Sequence, residues 1–262
     1  MLKGPYSKVA LILLVILAVA VISFFHANMI VKREMKHSAE YSLDKIESHI
    51  SAISHAIISL PYNPNCPLSL QREYANLTYE NEEVRALGVV EESSGSWSAC
   101  SIFGPVNSKE QYWQGDQFAD LFLGWSKHTD YFPETSFVIS IQEGERHSFA
   151  YVNPRRMVGS WIAPRLDFAD YEIRLPNQRE QRASMARHND HETWFGAPVR
   201  QQVTSQAYGF DITLTTAYST VIRRACVYFL RGLLLVTFIG FTIWMLSTPY
   251  ALLKAKSIRD QL

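Results

Sequence analysis

An excess of charge of either sign is missing from this chain. Its 262 residues carry 25 Lys and Arg against 25 Asp and Glu, for a formal net charge of zero. No basic surplus offers a surface to nucleic acid, so that class of partner is excluded first. Cysteine is scarce as well, with three in all: Cys66 and Cys100 in the centre, and Cys226 at the start of a late apolar run. Catalytic signatures are lacking too. No phosphate-binding glycine loop occurs, and Ser, His and Asp occur without a nucleophile-elbow pattern. Catalytic residues are therefore read as none. His188-Asn189-Asp190-His191-Glu192 offers metal-ligand chemistry, but it sits in a strongly polar stretch with no third site. A metal needs ligands fixed in geometry, so the run is read as a solvated loop, and no metal or cofactor is expected. Trp97, Trp113, Trp125, Trp161 and Trp194 are read as core fillers, with the lining of a ligand pocket as the alternative.

Charge is also absent from two long segments, and there the absence is informative. Val9 to Val31 contains no Asp, Glu, Lys or Arg. At about 1.5 Å per residue such a helix crosses a bilayer core of about 30 Å. A cleaved signal peptide is the rival reading, against which stand the length of the run and the lack of a clean small-x-small site. Gly232 to Leu253 is charge-free in the same way, with Arg231 placed to reach the interface. The length alone would suit two soluble domains. With two spans removed, about one domain of ordinary size remains. The expected layout is a cytoplasmic N-terminus at 1–8, a transmembrane helix at 9–31, a translocated domain at 32–225, a second transmembrane helix at 226–253 and a short cytoplasmic tail at 254–262. Lys3, Lys8, Lys254, Lys256 and Arg259 favour cytoplasmic ends, but Lys32, Arg33, Lys36, Arg223 and Arg224 nearly balance them. The central cysteine pair argues better for a translocated middle, because disulfides persist in oxidising compartments. The expected location is therefore a membrane, with the middle segment outside the cytoplasm.

Within the middle, Ala39, Leu43, Ile46, Ile50, Ile53, Ile57 and Leu60 recur at alternating spacings of four and three. That is the apolar seam of a long helix, ended by Pro61. The seam either packs on the chain's own sheet or joins two copies in a dimer; the pattern alone admits both. Pro61 to Pro67 is a proline-rich loop carrying Cys66, and Leu68 to Tyr79 suits a short helix. Val84–Val90 and Trp97–Phe103 read as a hairpin, the second strand carrying Cys100. Phe137–Ile141 and Ser148–Val152 read as another. Tyr171–Leu175 and the alternating Phe210, Ile212 and Leu214 read as further strands. Pro154–Ile162 suits a short helix, Tyr112–Tyr131 resists assignment, and Pro176–Trp194 reads as a surface excursion. The fold class is therefore α/β, a long N-terminal helix on a mainly antiparallel sheet, between two transmembrane helices. A bond between Cys66 and Cys100 would tie the end of that helix to the first hairpin. Loop entropy values such a closure at roughly 4 kcal/mol. A permanent staple and a redox-responsive switch both fit that position.

The residues Leu60-Pro61 with Cys66, then Val84-Arg85-Ala86-Leu87-Gly88-Val89, then Cys100-Ser101-Ile102-Phe103-Gly104 resemble a known family. It comprises the membrane-bound cyclic-di-GMP phosphodiesterases whose periplasmic sensor carries a CSS motif. The layout of the whole chain is similar, and the specific motifs lie within Leu60 to Gly104. The family's Cys-Ser-Ser stands here as Cys100-Ser101-Ile102, one serine short. No Glu-Ala-Leu signature of the family's enzyme domain occurs. The resemblance implies a PAS- or Cache-like periplasmic sensor domain of a phosphodiesterase that reports redox state through Cys66 and Cys100. It would lack a catalytic domain of its own, as a stand-alone or truncated member. The resemblance further implies a place in the bacterial inner membrane with the domain at 32–225 in the periplasm, and as partners the membrane, the periplasmic oxidation machinery, and either a second copy or related membrane phosphodiesterases. A non-catalytic partner of full-length relatives is the alternative function.

Overall fold

In a computed structural model the chain is described over residues 5–93, 96–106, 113–126, 135–162, 166–175, 182–185 and 196–259. Helix α1 spans Pro5–Ile58, 54 residues without a break. After Pro5, at its start, it holds neither proline nor glycine, so nothing in its interior interrupts the hydrogen-bond ladder. The first apolar run is thus not a separate element, because α1 carries on beyond it. The helix stops where Pro61, Pro64 and Pro67 follow. α2 (Leu68–Glu80) comes next, and α3 is a short turn (Pro154–Arg156) that runs into a π-helical turn, Met157–Trp161. α4 (Tyr218–Arg259) closes the chain.

The chain divides into two compact units. One contains α1 as far as Arg33, together with α4. Here Leu11, Leu14, Ile22, Leu234, Phe238 and Leu246 are exposed along the helices. Unbroken apolar surface of that kind is unfavourable in water. Both helices are long and apolar enough to cross a membrane. They meet at Gly232, where an added Cβ would lie 2.9 Å from Cγ1 of Val19. A small residue at this point lets the backbones approach closely.

The other unit contains α1 from Glu34 and two antiparallel sheets, where the sequence suggested one. The larger sheet is built from β1 (Val84–Ser93), β2 (Ser96–Ser101), β3 (Gly104–Val106), β4 (Trp113–Phe118), β5 (Leu121–Ser126), β6 (Phe137–Glu143) and β7 (Arg146–Val152), in the order β3-β2-β1-β7-β6-β5-β4. Its register aligns Leu87, Ala150, Ile139 and Leu123 in one row, all buried. On the other face Gly88 pairs with Phe149, and a Cβ at Gly88 would lie 2.5 Å from Cζ of that ring. Only glycine accommodates the ring there. The smaller sheet has β8 (Asp170–Arg174), β9 (Arg182–Met185), β10 (Val199–Thr204) and β11 (Asp211–Thr216), in the order β10-β11-β8-β9. Ile212 faces Ile173 and Leu214 faces Tyr171, all four buried, as period-2 alternation requires. The stretch expected to be a surface excursion contains β9. This is an edge strand held by backbone pairing with β8, which leaves no apolar signal in the sequence. β4 and β10 are similarly polar, whereas β5 is apolar almost throughout and buried from Leu123 to Ser126, so it shows no alternation to read.

Helix α1 is tied to both sheets. The Ser38 hydroxyl lies 2.9 Å from that of Tyr171 on β8, and Ser205, just after β10, donates to Glu47 at 2.7 Å. His49 stacks on Trp161 at 4.9 Å with an interplanar angle of 4°. Arg146, the first residue of β7, donates through Nη2 to the Leu60 carbonyl just past the end of α1. Ala39, Ile46, Ile50, Ile53, Ile57 and Leu60 are all buried, and Leu43 is half-buried. The exposed side of the helix holds a Lys36–Glu40 ion pair at 3.7 Å and Lys45 over the Tyr41 ring at 5.9 Å. The chain's own core fills the seam, so its residues are not free to form the dimer contact that the pattern admitted. Ile50→Ala should therefore lower the unfolding free energy by about 2–4 kcal/mol, read by denaturant titration of the full chain in detergent. Unchanged stability with weakened self-association would contradict this packing.

Candidate functional site

The site is the loop from Leu60 to Pro67 with the strand end it is bound to. Cys66 and Cys100 are joined in a disulfide, with Cα atoms 5.2 Å apart and a sequence separation of 34. Both cysteines are buried. Cys100 lies on β2 opposite Val89, in the continuous part of the register. Cys66 is held at φ 43°, a left-handed conformation that a residue with a Cβ seldom adopts. Three prolines, at 61, 64 and 67, restrict the loop around it. Within the loop, Asn63 Oδ1 accepts from the Asn65 amide at 2.9 Å, and the Asn63 carbonyl accepts from the Cys66 amide at 2.9 Å. An asparagine that bonds its own backbone two residues on is a local turn-maker.

The loop is also fastened from outside. Tyr74 of α2 donates to the Pro61 carbonyl at 2.5 Å, and Gln71 Nε2 donates to the Cys66 carbonyl at 2.9 Å. The Tyr62 hydroxyl bonds the Ser98 hydroxyl of β2. Arg146 bonds the Leu60 carbonyl, and its guanidinium stands 5.8 Å from the Tyr62 ring centroid. A cation over an aromatic face is attracted by the ring quadrupole. Burial pushes the Tyr74 phenol up to about 12, against the opposing pull of the Arg146 charge. Tyr74 is thus a neutral donor throughout the physiological range.

The remaining motif residues form the turn after Cys100. Ser101 is buried; its Oγ accepts from the Phe103 amide at 3.1 Å and donates to the Gly104 carbonyl at 3.3 Å. The Ile102 amide donates to the Leu87 carbonyl at 3.2 Å. Phe103 is exposed, and Gly104 sits at φ 101°, which favours glycine. So the structure brings Cys66, Cys100, Ser101, Ile102, Phe103 and Gly104 to one end of the large sheet. Sequence reading missed Arg146, Tyr74, Gln71 and Tyr62. Their roles depend on tertiary placement, and only the proline loop next to α2 hinted at any of them. Among the described residues no three His, Cys, Asp or Glu side chains converge on a point. His188 to Glu192 lies outside those residues. Trp125 and Trp161 are buried in the core; the side chains of Trp97 and Trp113, and all of Trp194, lie outside the described part.

No protein-family model matches the chain, and no curated protein matches it. The chemistry must be judged from the site itself. What the loop offers is thiol–disulfide exchange. A thiolate must reach a sulfur in line with the bond, and burial of both cysteines limits that approach.

The raised Tyr74 value has a pH consequence. The folded chain holds that proton more tightly than the unfolded chain, so the associated stability is complete below about pH 10 and is lost as pH climbs towards 12. With Cys226 blocked, urea midpoints should fall between pH 9.5 and pH 11.5 (about that range). Tyr74→Phe should remove part of that fall. An identical fall in the variant would mean that Tyr74 does not carry it.

Proposed function

We propose that this chain is the signal-receiving part of a bacterial membrane protein of the CSS-motif cyclic-di-GMP phosphodiesterase type. In this reading the unit with the two sheets is a PAS- or Cache-like sensor in the periplasm, and the signal is the redox state of Cys66 and Cys100. Its output in this reading is the activity of a membrane phosphodiesterase of that type. The periplasmic oxidation machinery sets its thiol state. One observation carries the proposal: the disulfide closes the loop immediately after the same unbroken helix that contains the first apolar run. Few residues separate the redox chemistry from the end of α1, so a change at one has a direct mechanical route into the other.

The test is made in cells that also hold a full-length relative with its Glu-Ala-Leu domain. An alkaline-phosphatase fusion after Val106 should be active, as expected for an exported loop. Cys100→Ala should change cellular cyclic-di-GMP several-fold relative to the unsubstituted chain. An inactive fusion would refute the topology. Unaltered cyclic-di-GMP, with both proteins present at equal levels, would refute redox signalling.

A further inference from the structure

We infer that the Cys66–Cys100 disulfide is gated, and that Arg146 helps to keep the gate shut. Cys66 and Cys100 are both buried, so a reducing thiolate reaches either sulfur only after the Leu60–Pro67 loop lifts. Four side chains from outside the loop or across it oppose that motion: Tyr74, Gln71, Tyr62 and Arg146. Tyr74 and Gln71 belong to α2, which follows the loop directly in the chain. Tyr62 is part of the loop itself. Arg146 alone comes from a remote element, β7, in the middle of the large sheet. With the Tyr62–Ser98 bond to β2, it ties the loop to the large sheet, and it does so at the loop's first residue, Leu60.

The fastening is also built to release. Arg146 holds the Leu60 carbonyl with Nη2 and covers the Tyr62 ring, yet its Nε is buried with no acceptor. A buried donor without a partner is a cost that water repays once the site opens. Hydration of Nε thus offsets part of what is lost at Leu60 and at the Tyr62 ring when the loop lifts. A strap with both ends satisfied would hold more firmly.

In the opened state a small dithiol completes the exchange. One of its thiolates attacks a cysteine sulfur and forms a mixed disulfide, and the other cysteine leaves as thiolate. The second dithiol sulfur then displaces the first cysteine. The products are two cysteine thiols and the oxidised cyclic dithiol. The gate rests on the redox reading for its use, while its existence is a property of the loop.

The experiment follows the rate of disulfide reduction by dithiothreitol in the full chain, in detergent at pH 8, by alkylation and gel shift. Arg146→Gln should be reduced at least tenfold faster than the native chain. Arg146→Lys keeps a charged donor and should fall between them. Ile139→Val, buried in the sheet away from the loop, controls for general loss of stability and should leave the rate near native. In denaturant all four chains should react alike, since no gate remains. Equal rates for the native chain and Arg146→Gln would overturn the gate. So would an acceleration in Ile139→Val that matches that of Arg146→Gln. Either result would leave the redox reading standing if Cys100→Ala still alters cyclic-di-GMP. A fast Arg146→Gln with no effect of Cys100→Ala would keep the gate and remove the signalling role.

Discussion

Burial of one face of α1 is the constraint that organises the second unit. The face from Ala39 to Leu60 supplies Ile46, Ile50, Ile53 and Ile57 to the interior. Each fully buried aliphatic side chain of that size contributes on the order of 1.5–3 kcal/mol. Both sheets reach the helix, the smaller through Tyr171 and the larger through Arg146. A helix packed on this face alone has little freedom to rotate without exposing apolar surface. It can still respond at its ends, where packing gives way to loop. The disulfide acts at one such end.

That placement gives the loop two kinds of fastening with different physics. The disulfide is covalent and acts largely on the unfolded or opened chain, by limiting how far Cys66 can stray from Cys100. The hydrogen bonds of Tyr74, Gln71, Tyr62 and Arg146 act on the closed state and can be remade quickly. Reduction leaves the second set in place. The loop of the reduced protein would then rely on those polar contacts to stay closed.

Much of this was legible in the sequence because its signals are local or periodic. The seven-residue seam marked the buried face of α1, and the run Pro61 to Pro67 marked where the helix must stop. The alternation of Phe210, Ile212 and Leu214 marked β11. Cys66 and Cys100 stood out as the pair of the central domain, and their bond required no knowledge of the fold. The seam could not say what it packed against, since a helix pattern specifies a face and not its partner. Two sheets could not be told from one, because strand order is a long-range property. β9 is an edge strand in a polar stretch, so its backbone pairing left no trace in side-chain pattern. Arg146 was invisible for a related reason: its value lies in reaching Leu60 from a strand 86 residues along the chain.

What the disulfide does for the protein depends on how readily it exchanges electrons. A permanent staple and a sensor occupy the same position in the fold and differ in reduction potential. Structural disulfides of exported proteins lie below about −300 mV, and labile ones lie above. The midpoint is obtained by equilibrating the full chain in detergent with glutathione buffers of known potential at pH 7 and counting alkylated Cys66 and Cys100. A midpoint above roughly −300 mV is the result expected of a sensor. A pair that stays oxidised below that potential would contradict the central claim and leave the disulfide as a staple.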